Sequence, residues 1–170
     1  MLSSDDVVHR LYEDRVVIDA VVDRFGAAVL APDGSVDRAA LGDAAFAQDG
    51  GLAFLEGLLH PRIGAAREEW VAEQRRRVPP PPLLICEVPL LFEVDLADQF
   101  DAVLVVTARD EVRRARVQQR GQDFDGRSAH QMPEAEKVSR ADAAFENNGS
   151  VDALAQWVEA MMARYGRPSD

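Results

Sequence analysis

The sequence predicts an α/β fold in which helices flank a parallel sheet to form three layers. An apolar stretch at residues 83–93 has the form of a buried strand that ends in a proline turn. A near-continuous apolar run at residues 101–107 favours a second strand buried on both faces, as in a parallel sheet. Helical periodicity occupies most of the remaining chain, which completes the α/β pattern.

The proline turn within the stretch 83–93 is where we expect ligand chemistry. Open α/β folds bind ligands in the crevice beyond the carboxyl ends of their parallel strands. Glu87 and Glu93 bracket this turn. Cys86, the single cysteine, is read as a small core residue, so neither a disulfide nor a cysteine-based metal site is expected.

Composition narrows the function classes. The formal net charge of −11 disfavours nucleic-acid binding. No stretch approaches the roughly 18 apolar residues of a membrane span, and the acidic start lacks the pattern of a signal peptide. The expectation is therefore one cytoplasmic domain over residues 1–170, without a membrane partner.

Apolar spacing and capping residues place the elements of the first half. Asp37 is a good helix cap, and Gly26 is a good helix end. Pro61 suits the first turn of a helix, so it is expected to begin a new one. Helices are predicted at about 3–13, at 15–25, after Asp37, at 52–59 and at 61–77.

The second half alternates the two element types. Asp110 caps a helix that reaches residue 120, and Pro133 interrupts a helical stretch at 127–140. A short strand is predicted at 143–146. Ser150 then caps a closing amphipathic helix at 151–165.

Several segments together resemble the dephospho-CoA kinase family, in the family's order and near its spacing as far as about residue 154. The segments are Leu2-Ser3-Ser4-Asp5-Asp6-Val7-Val8-His9, Leu58-Leu59-His60-Pro61-Arg62-Ile63, Val88-Pro89-Leu90-Leu91-Phe92-Glu93, residues 116–120, Gln131-Met132-Pro133, residues 137–142 and Asn147-Asn148-Gly149-Ser150. The resemblance implies a P-loop kinase fold. It also implies transfer of the ATP γ-phosphate, with Mg²⁺, to the ribose 3′-hydroxyl of dephospho-CoA in the last step of coenzyme A synthesis.

One departure from the family is evident. The family opens with a strand and a glycine-rich loop ending in Gly-Lys-Ser/Thr, and this sequence contains no such loop. Lys137, the single lysine, lies in another context. The expectation is an N-terminally incomplete kinase domain that lacks roughly thirty residues, judged as most of one βαβ unit, and has negligible activity alone.

The resemblance implies an acceptor side built from the first half of the chain, with helices at about 14–77. Asp5 matches the family acid that takes the 3′-hydroxyl proton. Without the resemblance, Asp5 reads as an acid that stabilises the first turn of a helix. His60 and Arg62 are expected to bind the acceptor, although an isolated histidine otherwise reads as a helix-junction residue.

The proline turn supplies further expected acceptor contacts at Pro89, Leu90, Leu91 and Glu93. Leu90 and Leu91 can alternatively be core residues. The family usually has aspartate where Glu87 stands, which keeps the charge and lengthens the arm. No residue is assigned as a metal ligand.

The resemblance implies a lid at about 116–140, where arginines neutralise the transferring phosphate. Arg120 is the first candidate, also as a catalytic residue, and Arg116 and Arg127 follow. Arg113 and Arg114 are read as a solvated helix face. Asn148 and Gly149 fall where the family places the loop beside the adenine ring.

Two other functions remain open from the sequence. One is a non-catalytic module that binds CoA-like ligands or regulates a partner. The other is a different small-molecule P-loop kinase, since a fold does not fix its substrate. The oligomeric state is not predicted.

Overall fold

The computed structural model describes residues 1–119 and 131–166. The chain divides into two compact units, Met1–Val88 and Pro89–Asp170. Both combine helices with a pair of parallel strands, which confirms the α/β prediction. No helix within the described residues has the length and apolar character needed to cross a membrane.

The first unit is mainly helical. Its elements are β1 (Leu2–Ser3), α1 (Ser4–Leu11), α2 (Arg15–Phe25), α3 (Arg38–Ala47), α4 (Gly51–Arg75) and β2 (Cys86–Glu87). Gly26 ends α2 with φ of 87°, a conformation that favours glycine. The Asp37 side chain accepts the N–H groups of Ala39 and Ala40 at the start of α3, as the sequence predicts.

The core of this unit lies among α2, α3 and the short 3₁₀ turn Ala27–Val29. Val21, Val29 and Leu41 are at most 1% exposed and form one apolar cluster. Gly51 permits the close approach of α3 and α4, because a Cβ there would lie 2.4 Å from the Ala45 carbonyl oxygen. These contacts fix the helices that follow β1 and precede β2.

Helix α4 runs through Pro61 without a break, so the predicted boundary at His60-Pro61 is wrong. A proline inside a helix loses one N–H donor and crowds the preceding turn. The Arg62 Nη1 donates to the Leu58 carbonyl at 2.7 Å, and this bond supports the same turn. A single helix of 25 residues therefore carries both His60 and Arg62.

Strand β2 is shorter and more exposed than the buried strand predicted ahead of the proline turn in the stretch 83–93. Only Cys86 and Glu87 pair with β1, in parallel register with Leu2 and Ser3. Ile85 is 42% exposed. Among the described residues β2 has β1 as its only strand neighbour, which explains why its apolar side chains are not covered.

The second unit contains β3 (Leu104–Thr107), α5 (Asp110–Gln119), α6 (Glu134–Arg140), β4 (Ala143–Glu146) and α7 (Val151–Tyr165). Strands β3 and β4 are parallel, with Leu104 opposite Ala143. Asp142 fixes this register, because its carboxylate accepts the Val103 N–H at 2.7 Å. The Ser150 side chain caps α7, and the predicted bounds of β4 and α7 are confirmed.

The predicted burial of β3 on both faces is wrong. Leu104 and Val106 remain 39% and 52% exposed. Within the described part of the chain β3 pairs with β4 alone, so one edge and much of one face stay open. The apolar run identified a strand correctly but overstated its burial.

Candidate functional site

The carboxyl ends of β1 and β2 place polar groups together in the first unit. Ser3 Oγ donates to Glu87 Oε2 at 2.8 Å across the parallel pair. Asp5 follows β1 directly, in the exposed first turn of α1. Glu87 is thus engaged by a hydroxyl, while Asp5 presents its carboxylate to solvent beyond the strand end.

Helix α4 carries the two other predicted acceptor residues of this unit. His60 is exposed, whereas Arg62 is half-buried against its own helix. Only Nη1 of Arg62 bonds to Leu58, and a guanidinium has five N–H donors, so others remain for a ligand.

The single thiol lies on β2 of the same unit. Burial raises the pKa of the Cys86 thiol, and the positive charges of Arg67 and the N-terminal ammonium oppose that rise. Cys86 is therefore protonated at neutral pH and is no candidate nucleophile.

The turn at residues 89–95 begins the second unit, and its residues differ in exposure. Pro89 and Leu90 are exposed, and Leu91 is half-buried. Phe92 is only 6% exposed and anchors the turn. The three residues before Phe92 are thus not buried, and their acceptor contacts stay a prediction.

Glu93 points into its own unit. Its Oε1 accepts Lys137 Nζ at 2.6 Å and the Met132 N–H at 2.8 Å. Burial raises the pKa of Glu93, but the bonds from Lys137 and Met132 outweigh it and hold the pKa below its ordinary value. Oε2 is buried without a hydrogen-bond partner among the described residues. Glu93 is an ionised, internally bonded carboxylate.

A cavity of about 510 Å³ lies at the carboxyl ends of β3 and β4. Its volume is within the range of small-molecule sites, about 300–1,000 Å³. Three of its lining residues are cationic and two are acidic. Its principal polar groups are Asp110, Arg113, Arg116, Glu134, Lys137 and Asn147.

Two of the three cations in this cavity are held by carboxylates. Lys137 pairs with Glu93, as described above. Arg113 Nη1 bonds to Glu134 Oε2 and lies 3.2 Å from Asp110 Oδ1. Glu134 Oε1 also accepts the Ala108 N–H at 3.2 Å, which ties the start of α6 to the end of β3. The reading of Arg113 as a solvated face is wrong, because its side chain is 29% exposed and bridged to α6.

Arg116 is the third cation. It lies one helical turn after Arg113 on α5, is half-buried and lines the cavity. It makes no ion pair with any residue that the structure describes. The other predicted lid residues, Arg120 and Arg127, lie outside the described residues.

The loop after β4 contributes Asn147 to the cavity. Its N–H donates to the Thr107 carbonyl at 2.7 Å, which joins the ends of β3 and β4. Its Oδ1 is buried and has no partner among the described residues. Asn148 Oδ1 instead accepts the Arg109 N–H at 2.7 Å, and Gly149 is exposed. Asn147, rather than the predicted Asn148 and Gly149, therefore lines the cavity.

Sequence reasoning gave no site role to four of these residues, Ser3, Glu134, Lys137 and Asn147. Ser3 carried no signal, because a hydroxyl at a strand end is common. Glu134 follows Pro133 and was recognisable as an acid in a first helical turn. Asn147 shares its Asn-Asn pair with Asn148, and the sequence does not distinguish the residue that lines the cavity from the one that bonds to Arg109.

Parallel strand pairs flanked by helices, with charged groups beyond their carboxyl ends, define an α/β protein whose candidate ligand sites lie at those strand ends. The sequence profile described as dephospho-CoA kinase matches residues 1–153. A dephospho-CoA kinase of Anaeromyxobacter dehalogenans is 42% identical over 143 residues, which cover 82% of this chain and 67% of that protein.

Two solved structures are similar in fold to this chain. The crystal structure of TT1252 from Thermus thermophilus superimposes with a TM-score of 0.79 at 31% identity, over 96% of this chain and 83% of that one. A dephospho-CoA kinase from Campylobacter jejuni has the same fold, with a TM-score of 0.65 at 22% identity over 96% of this chain and 84% of that one. The chain belongs to the dephospho-CoA kinase family, a family of phosphotransferases.

Proposed function

We propose that the protein functions in ATP-dependent phosphorylation of the ribose 3′-hydroxyl of dephospho-CoA, the last step of coenzyme A synthesis in the cytoplasm. Family membership supports the reaction, and the cavity at the ends of β3 and β4 is the observation that carries its nucleotide side. In this proposal residues 1–170 serve as one kinase domain, with acceptor-side helices at about 14–77 and a lid at about 116–140.

ATP is the proposed ligand of the cavity in the second unit. Arg116 has no carboxylate partner among the described residues, so its guanidinium can bind a phosphate without first breaking an ion pair. Lys137 and Arg113 add positive charge whose orientation is already fixed. Asn147 Oδ1 can accept a hydrogen bond from the nucleotide base, which would satisfy its buried oxygen.

In the first unit the proposed acceptor residues are Asp5, His60 and Arg62. In the second unit Pro89, Leu90 and Leu91 are proposed as acceptor contacts. Asp5 is exposed beyond a strand end, where a carboxylate can accept the proton of the attacking hydroxyl. Arg62 retains donors suited to a phosphate of the acceptor. Glu93 is withdrawn from this group, because Lys137 and Met132 occupy its Oε1.

Mg²⁺ accompanies ATP in phosphoryl transfer and is commonly held by one or two carboxylates and the phosphates. No group of three or more potential metal-binding side chains occurs among the described residues. The roles that we propose for the described residues are binding, orientation and proton acceptance.

The donor side of the reaction is incomplete within these 170 residues. They contain no glycine-rich loop ending in Gly-Lys-Ser/Thr to surround the β- and γ-phosphates. By themselves they are therefore expected to bind both ligands weakly and to turn over negligibly. Because the 170 residues lack this loop, a second candidate function remains, that of a non-catalytic module that binds CoA-like ligands.

Nuclear magnetic resonance titration of the 170-residue chain tests the proposed function. Dephospho-CoA is expected to shift amide resonances near Asp5 and Arg62, and ATP is expected to shift those near Thr107 and Asn147. Binding of dephospho-CoA without ATP would favour the non-catalytic module. The proposal would be refuted if neither ligand bound. It would also be refuted if unrelated nucleosides shifted the same resonances as much as dephospho-CoA does.

A further inference from the structure

Glu93 does not line the cavity but bonds to two residues that do. Met132 and Lys137 line the cavity, whereas Glu93 does not. One oxygen of Glu93 accepts both the Lys137 ammonium and the Met132 N–H. The Glu93 and Lys137 side chains are only 15% and 17% exposed, so the pair is largely shielded from water. The carboxylate thus holds a backbone group and a cation that both face a ligand.

A second contact reinforces the same attachment. Arg140 lies three residues after Lys137 on α6, hence on the same side of that helix. Its guanidinium sits 4.8 Å from the centre of the Phe92 ring, next to Glu93 in sequence. Phe92 is buried. Two consecutive residues of the turn therefore attach one face of α6.

We propose that Glu93 is a positioning residue for nucleotide binding, which acts through Lys137 and Met132 and does not contact the ligand. This inference rests on the proposed function of the cavity. Lys137 Nζ has three donors, and Glu93 takes one, so the ammonium can still meet an anion in the cavity. Loss of Glu93 leaves the ammonium without its partner and releases the Met132 N–H, which lets the wall move.

Two substitutions and a matched control separate positioning from electrostatics. Glu93→Gln removes a negative charge, which by Coulomb attraction alone would tighten ATP binding. Positioning predicts the opposite, a loss of about tenfold, as expected when a charged hydrogen bond is removed. Lys137→Met removes the partner of Glu93. Glu136→Gln is the matched control: it removes one negative charge, as Glu93→Gln does, and it lies on α6 next to Lys137, in an exposed pair 4.0 Å from Arg140.

ATP affinity, measured by titration for each variant, gives the first readout. Glu93→Gln and Lys137→Met are each expected to bind about tenfold more weakly, and the double variant no more weakly than the weaker single one, because coupled residues are not additive. Glu136→Gln should bind as the wild type does. Tighter binding by Glu93→Gln, or additive losses, would overturn the inference.

Hydrogen exchange of the segment 131–137 gives a readout that needs no ligand. Glu93→Gln and Lys137→Met are expected to speed exchange there, while Glu136→Gln leaves the rate of residues 131–133 unchanged. If the wild type binds no ATP, the proposed function fails and exchange alone decides the positioning role. Unchanged exchange in both variants would overturn it.

Discussion

Replacement of Glu134 by glutamine tests the arrangement of the cavity wall most simply. Glu134 accepts the Ala108 N–H with one oxygen and the Arg113 guanidinium with the other. An amide can accept only one of these, and its NH₂ then faces a second donor. A hydrogen bond to a charged group contributes roughly 1.5–3 kcal/mol. Since both side chains are about 30% exposed, screening reduces the expected cost to about 1–2 kcal/mol.

The control for this change is Glu136→Gln. Both acids lie in the first turn of α6, so the loss of charge near the helix N-terminus is the same for each. The ion pair of Glu136 with Arg140 is long, at 4.0 Å, and its side chain is 52% exposed, so a cost below about 0.5 kcal/mol is expected. Urea unfolding followed by circular dichroism measures both free energies. Equal losses for the two variants would refute the assigned role of Glu134.

Three further predictions follow from the same geometry. Folding lowers the pKa of Glu93, so this residue stabilises the fold at neutral pH and loses that contribution as the pH falls below 4.5, the ordinary pKa of a glutamate. The melting temperature of Glu93→Gln should therefore fall less steeply with acid than that of the wild type. Parallel curves of melting temperature against pH would contradict this. Because burial raises the pKa of Cys86, its reaction with a disulfide reagent at pH 7.5 should be slower than that of free glutathione, and an equal or faster rate would count against it. In a coupled assay for ADP, the 170-residue chain should show no dephospho-CoA-dependent turnover above background, because it has no phosphate-binding loop, and normal turnover would disprove that dependence.

Local signals in the sequence predicted most element types. Asp37, Gly26 and Ser150 act at the helix ends where capping chemistry places them. The short strand Ala143–Glu146 and the helix Val151–Tyr165 follow from period and turn residues. Family-specific segments such as Val88-Pro89-Leu90-Leu91-Phe92-Glu93 identified the reaction class, which no single residue could do.

Burial and side-chain partners were less accessible from the sequence. A proline normally marks a helix start, yet Pro61 lies inside α4, where tertiary packing outweighs the local cost. Glu93 is predicted from the sequence as an acceptor contact, but only the fold brings Lys137, 44 positions later in the sequence, to its oxygen. Which of Asn147 and Asn148 lines the cavity depends on the loop after β4, where the Asn147 N–H donates to the Thr107 carbonyl and the Asn148 side chain accepts the Arg109 N–H.

Titration of the chain with ATP, followed by amide resonances, tests the central claim that the second unit binds the nucleotide in its cavity. We predict weak binding whose shifts concentrate at Thr107, Met132 and Asn147, with affinity about tenfold lower in Arg116→Ala because a charge-assisted bond to phosphate is lost. Shifts confined to residues outside the cavity, or unchanged affinity in Arg116→Ala, would contradict it.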